Sequence, residues 1–306
     1  MADKLILGMD IGGTNMRFGL VDEQFNRSHM VMELTQKVLA CADPMETLKE
    51  RIHAYCDRYL DGELPYALSM GFPSTIDKTR RIVTSTPNIH RLQNIKVADI
   101  MESAFHVPVY VNRDVNFLML YDMLYHRLTD KRIVLGFYLG TGLGNAIAID
   151  GNLLLGKNGV AAELGHIPMY GANDLCGCGN YGCAETIASG LQLEKIRSEW
   201  FPDTPIQQIF TYYRDDPAIL HFIDGLSIPI ATEINIFDPD SVIIGGGIPQ
   251  MPDFPTQALE KSIYRHLRKP YPAKGLEMIY SVPKQDNGVI GAGIYAFKRL
   301  ESEDYR

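Results

Sequence analysis

Four side chains able to hold a soft metal ion crowd into one short stretch of this 306-residue chain. His166, Cys176, Cys178 and Cys183 follow the spacing His-x9-Cys-x-Cys-x4-Cys, and Gly177, Gly179 and Gly182 let the loop between them fold back on itself. One imidazole and three thiolates make a tetrahedral zinc site. With all four positions taken by protein, such an ion is structural rather than catalytic. The competing reading is a set of unrelated free thiols. A Cys176–Cys178 disulfide is disfavoured because a single residue separates the two.

Carboxylates flank this stretch. Glu163 lies three residues before His166 and Glu185 two residues after Cys183, so fixing the metal also fixes two acids around it. If one ring nitrogen of His166 holds the ion, the other can meet a hydroxyl, and the segment reads as a wall for binding a polyol. Alternatively both glutamates are solvated surface charges. Asp114, in NRDVN, stands where a strand passes into a helix; it reads equally as a helix cap and as a general base. Asn88, in STPN, suits either a sugar hydroxyl or its own turn.

Two glycine turns could cradle phosphate. Gly12, Gly13, Thr14 and Asn15 of DIGGTN offer backbone N–H groups, a hydroxyl and an amide, and Asp10 before them can hold Mg²⁺ through water. Such a hairpin by itself is more often only a turn. The pattern returns, however, in Tyr138 to Asp150, where Gly140, Thr141 and Gly142 occupy the corresponding turn and the following apolar run again closes on Asp. This internal repeat implies two halves of one architecture, one turn in each, both aimed at a triphosphate. Gly245, Gly246 and Gly247 follow a buried strand; they allow a flat adenine or ribose to approach the backbone, or else open a helix.

The elements that must position these groups alternate between strand and helix. Lys4 to Met9 and Met16 to Asp22 read as strands, and Asp43, Pro44 and Glu46 begin a helix whose Met45, Leu48, Ile52, Tyr55 and Tyr59 share one face. A strand at Val107 to Asn112 leads to the helix carrying Phe117, Leu120 and Met123. Further helices are expected at 186–200 and 217–237, the latter kinked at Pro229, and a last helix from Asn287 carries Gly291 and Gly293.

Composition narrows the function. Twenty-nine Lys and Arg against 37 Asp and Glu give a net charge of −8, and no basic run tracks a phosphate backbone, so nucleic acid is excluded as a first expectation. The N-terminus lacks a signal-peptide pattern, no uninterrupted apolar stretch approaches the roughly 18 residues of a membrane span, and cysteines are sparse outside the cluster. A cytoplasmic protein with no membrane partner is expected.

Taken together, DIGGTN with Arg17, STPN, RDVN, LGTGLG, ELGH, CGCGNYGC, AE and IIGGG resemble, in order, the sugar kinases of the ROK family. The resemblance implies an α/β, two-domain actin/hexokinase-like (ribonuclease H-like) fold with a cleft between domains. Residues 1–115 would form the smaller domain, completed by a C-terminal helix at about 288–306, and 116–287 a larger one carrying the zinc loop. It also implies ATP-dependent transfer of the γ-phosphoryl group to a hexose 6-hydroxyl, with Mg²⁺ and a structural Zn²⁺. By the same resemblance Asp114 is the base, Asp10, Gly12 to Asn15, Arg17, Gly140 to Gly142 and Gly245 to Gly247 serve ATP and Mg²⁺, and Asn88, Arg113, Glu163, His166 and Glu185 contact sugar. The chain departs from the family at Arg113, where Asn is usual. The branch it looks most like, through NRDVN and NIFDPD, is the D-allose kinases; glucokinases, fructokinases, mannokinases and N-acetylmannosamine kinases are the alternatives. Homodimers are common among such relatives. Repressors of the same family carry a helix-turn-helix before the first hairpin, and only nine residues precede Asp10 here, so that reading is disfavoured.

Overall fold

The computed structural model describes residues 4–86, 90–282, 284–302 and 305. The chain divides into two compact units: residues 1–127, 155–161 and 284–306 form the first, and 128–154 with 162–283 form the second.

Unit 1 begins with strands β1 (Ile6–Ile11), β2 (Asn15–Val21) and β3 (Arg27–Leu34), followed by helices α1 (Thr35–Leu39) and α2 (Pro44–Tyr59). Then come β4 (Ala67–Phe72), the small hairpin β5 (Thr75–Ile76) and β6 (Val83–Ser85), α3 (Val97–Phe105), β7 (Val109–Arg113) and α4 (Asp114–Tyr125). Its sheet has the order β3-β2-β1-β4-β7, antiparallel through the first three strands and parallel from β1 to β7. Asp43 caps α2 as its sequence requires, its side chain accepting the Glu46 N–H at 3.0 Å, and Leu48 and Ile52 go into the core.

Unit 2 contains β8 (Ile133–Leu139), β9 (Leu143–Ile149), β10 (Asn152–Leu153), α5 (Gly190–Trp200), α6 (Ile209–Tyr213), α7 (Pro217–Phe237), β11 (Ser241–Gly245), α8 (Thr256–His266) and β12 (Glu277–Tyr280). The chain then returns to unit 1 with α9 (Asn287–Glu301). The order β10-β9-β8-β11-β12 repeats that of the first sheet, with the same antiparallel and parallel pairings. The repeat between DIGGTN and LGTGLG is therefore a repeat of whole sheets.

Helix α7 has the length and apolar composition to cross a membrane, but Phe222, Ile223, Leu226, Ile230 and Ile234 belong to the core of unit 2. It runs through Pro229 as one helix. Residues 155–161 join unit 1 although the flanking chain belongs to unit 2. Gly159 explains this, since it rests on the backbone of Ile76 and Asp77 at φ +82°, where a side chain would have no room.

Candidate functional site

In unit 1 the groups of interest sit at the ends of neighbouring strands. The turn after β1 is closed by Gly12 N–H donating to Asn15 O at 2.9 Å and tied to α1 by the Thr35 hydroxyl on Gly12 O at 2.7 Å. Gly13 and Thr14 are exposed at its tip. Asp10, just before it, is 3.4 Å from Arg17 Nη1. Burial raises the Asp10 carboxyl above its ordinary value, and the Arg17 charge only partly opposes this. Helix α9 begins against Asp10, and Gly288 makes that approach feasible because a β-carbon there would run into the carboxylate.

Asp114 follows β7. The helix cap proper is Arg113, and Asp114 is the first residue of α4, its Oδ1 accepting the Val115 N–H at 2.8 Å. Burial pushes its carboxyl up to about 6, with the negative charge of Asp10 adding to the effect and the Val115 N–H and Arg113 opposing it. A carboxylate that gives up its proton near neutrality suits a general base. The first turn of α4 rests on β4 through Gly71, whose missing side chain leaves room for Phe117 and Asp114. Arg113 is 8% exposed, and its Nη1 donates to Ala161 O at 2.9 Å. Asn88 lies outside the described residues.

In unit 2 the four soft donors come together. The donor atoms of His166, Cys176, Cys178 and Cys183 all lie within 4.8 Å of one another. Two of the separations, His166 Nδ1 to Cys176 Sγ and Cys178 Sγ to Cys183 Sγ, are each 3.6 Å. Tetrahedral zinc with Zn–S of about 2.3 Å requires donors about 3.7 Å apart, so these two separations match that ion. The cysteines are unpaired thiols, and short backbone bonds, Cys176 N–H to Asn180 O and Met169 N–H to Gly182 O, each at 2.8 Å, shape the loop. His166 Nε2, the other ring nitrogen, is 3.8 Å from Glu163 Oε2. A carboxylate behind a metal-facing imidazole fixes its orientation and tautomer.

Glu185 braces the second glycine turn. Its Oε2 accepts the Leu143 N–H at 3.0 Å and lies where a side chain on Gly142 would have to go. The turn is further held by Gly140 N–H on Gly142 O at 3.0 Å and by Gly190 N–H on Gly140 O at 2.8 Å, while the space above Gly140 is open. The 3-10 turn at Ala184–Thr186 delays the following helix, α5, to Gly190 rather than 186. Gly246 adopts φ +92° against the backbone of Leu139, and Gly247 faces open space. The next helix starts only at Thr256, so these glycines do not open one.

Sequence reading missed two contributors, Gly288 beside Asp10 and Gly190 beneath Gly140. Each was hidden by distance along the chain. The signal that could have found them is a glycine in the first turn of a helix, where no turn geometry calls for one.

The ROK family pattern matches residues 6–299, and the chain belongs to the ROK family. A glucokinase of Thermotoga maritima is 26% identical over 96% of this chain and 98% of its own length. A glucokinase of Streptomyces coelicolor is 30% identical over 86% of this chain and 88% of its own length. The crystal structure of a ROK family glucokinase from Streptomyces griseus in complex with glucose and AMPPNP superposes with a TM-score of 0.78, at 27% identity, covering 94% of this chain and 97% of that one. The mixed α/β architecture with its two sheets is thus the ROK and hexokinase-like fold.

Proposed function

From membership of this family and the chemistry of Asp114, we propose that the chain phosphorylates the 6-hydroxyl of a hexose with ATP, and that D-allose is the preferred sugar. At the coarser level the protein is a sugar kinase enzyme. The observation that carries the mechanism is the Asp114 carboxyl, raised to about 6 beside Asp10 at the end of its strand. In the ionised form it takes the proton of the 6-hydroxyl as that oxygen bonds to the γ-phosphorus. The bond from phosphorus to the bridging oxygen breaks, and ADP leaves with the electron pair. Asp10 would hold Mg²⁺, which would supply positive charge against the phosphates. Gly12, Gly13, Thr14, Asn15 and Arg17 are assigned to phosphate, as are Gly140, Thr141 and Gly142, and Gly245, Gly246 and Gly247 to the nucleoside.

Asn88, Glu163, His166 and Glu185 are assigned to sugar hydroxyls. His166, Cys176, Cys178 and Cys183 would hold zinc, which orders the loop between Glu163 and Glu185. Arg113 stands where the family usually has Asn, and it is the residue on which the allose reading rests. Its hold on Ala161 supports a role exerted through residues 155–161 rather than by direct contact.

A coupled ADP-release assay over allose, glucose, mannose, fructose and N-acetylmannosamine tests both levels. No sugar-dependent ADP release with any of them would remove the kinase reading. Glucose preferred tenfold over allose in kcat/KM would leave a glucokinase instead, as the named relatives favour.

A further inference from the structure

Two asparagines bracket Asp114 in NRDVN, and their side chains are joined. Asn112 lies near the end of β7 and is fully buried; Asn116 lies in the first turn of α4 and is 5% exposed. Asn112 Oδ1 accepts two hydrogen bonds, from the Arg113 N–H at 2.9 Å and from Asn116 Nδ2 at 2.7 Å. A backbone N–H can only donate, so Asn112 must present its oxygen here, and Asn116 must then present its nitrogen. The Asn112 nitrogen is left to interact with the Tyr295 hydroxyl of α9.

The junction has no other brace of this kind. An ordinary cap would place a short polar side chain at position 113 and let it accept a backbone N–H of the first turn. Arg113 occupies that position and makes no side-chain capping bond. Asn112, one residue earlier, instead ties the strand end to the helix by a bond between side chains, spanning 112 to 116 with Asp114 at its midpoint. Asp114 sits inside this span with Oδ1 on the Val115 N–H at 2.8 Å. Beneath it, Gly71 of β4 pairs in register with Asn112 and leaves room for Phe117 and the Asp114 backbone. The direction in which the Asp114 side chain leaves the backbone is thus set by the angle between β7 and α4, which the two amides hold.

We propose that Asn112 and Asn116 are positioning residues that aim the Asp114 carboxylate at the sugar hydroxyl; this rests on the reading of Asp114 as the base. Neither amide belongs to the groups assigned to ATP, sugar or zinc. A general base works only within hydrogen-bond reach of the proton it takes. A displacement of about 1 Å can cost about a hundredfold in rate, whereas affinity depends on many other contacts. Loss of the clamp therefore shows in the phosphoryl-transfer step and not in sugar binding.

Asn116→Leu, close in volume, removes the donor and leaves Asn112 on the Arg113 N–H. With the hexose that the wild-type full chain phosphorylates fastest, single-turnover transfer in this variant is about 10- to 100-fold slower, while the calorimetric Kd for sugar stays within about twofold. In an Asp114→Asn background the same change costs no more than about twofold further, because no base remains to be misplaced. A merely structural role would slow both backgrounds alike. Transfer at the wild-type rate in Asn116→Leu, equal losses in the two backgrounds, or a raised sugar Kd with unchanged transfer would each overturn the proposal. If Asp114→Asn is inactive and Asn116→Leu is not impaired, the clamp alone falls. If Asp114→Asn keeps its activity, or the wild type releases no ADP with any hexose, the base reading falls and the clamp with it. Asn116→Ser, whose hydroxyl is too short to reach Asn112, carries the same readouts if Asn116→Leu fails to fold.

Discussion

Asp10 and Asp114 stand at the ends of β1 and β7, with β4 between them in one sheet, and the charge of Asp10 adds to burial in raising the Asp114 carboxyl to about 6. If Asp114 is the base, log kcat/KM climbs with unit slope as pH rises toward 6 and is level above it. Asp114→Asn removes the base and lowers kcat by about 10²- to 10⁴-fold while sugar binding by calorimetry persists. Retention of more than a tenth of wild-type activity would remove Asp114 from its role.

The same shift links pH to stability. The folded pKa lies above the ordinary 3.8, so the carboxyl's stabilising contribution is complete below that value and is lost as pH rises through about 6. A shift of this size corresponds to about 2–3 kcal/mol. Asp114→Asn, whose amide cannot ionise, is therefore more stable relative to wild type at pH 8 than at pH 4. Denaturant titrations at the two pH values measure the difference; an equal offset at both would contradict the linkage.

Metal content offers an independent check on the unit 2 loop. Purified protein should carry about one zinc per chain, and Cys176→Ala or Cys183→Ala should carry almost none, with a lower melting temperature and sugar KM raised at least tenfold. Full activity in metal-free protein would detach the loop from sugar binding.

The distribution of legible and hidden features has a physical pattern. The cysteine spacing, the paired glycine turns and the Asp43 cap were readable because each is a local rule expressed within some twenty residues. The membership of 155–161 in unit 1 was not, because it depends on Gly159 meeting the backbone of Ile76, a contact no periodicity announces. Nothing local in TIDKTRR marks Arg80 for burial, and only tertiary packing buries it. Glu185 could be marked as a special acid beside the cluster, but its grip on the Leu143 N–H required the two chain segments to be brought together.

The two glycines of the LGTGLG turn should respond differently to the same substitution. A methyl on Gly142 meets the Glu185 carboxylate, whereas one on Gly140 meets nothing. Gly142→Ala should lose both stability and activity, since Glu185 must leave Leu143 and a buried N–H goes unpaired, at about 1–3 kcal/mol. Gly140→Ala should fold as wild type, and if a phosphate passes over that backbone its KM for ATP rises at least tenfold. An unchanged ATP KM in Gly140→Ala would take the turn out of nucleotide binding.

Arg113 gives the sharpest test of sugar preference. Its Nη1 holds Ala161 O, at the end of the segment that unit 1 recruits through Gly159. Asparagine at this position restores what the family usually has, but it is too short to keep that bond. Arg113→Asn should cost about 1–3 kcal/mol through the lost charged hydrogen bond and lower the ratio of kcat/KM for allose over glucose at least tenfold. A separate change, Ala161→Pro, leaves the acceptor oxygen and the guanidinium in place but removes the Ala161 N–H that donates to Leu155 O at 3.0 Å. If Arg113 acts through the segment, both substitutions move the allose-to-glucose ratio in the same direction. If it contacts the sugar itself, only Arg113→Asn does so, and the strut reading fails.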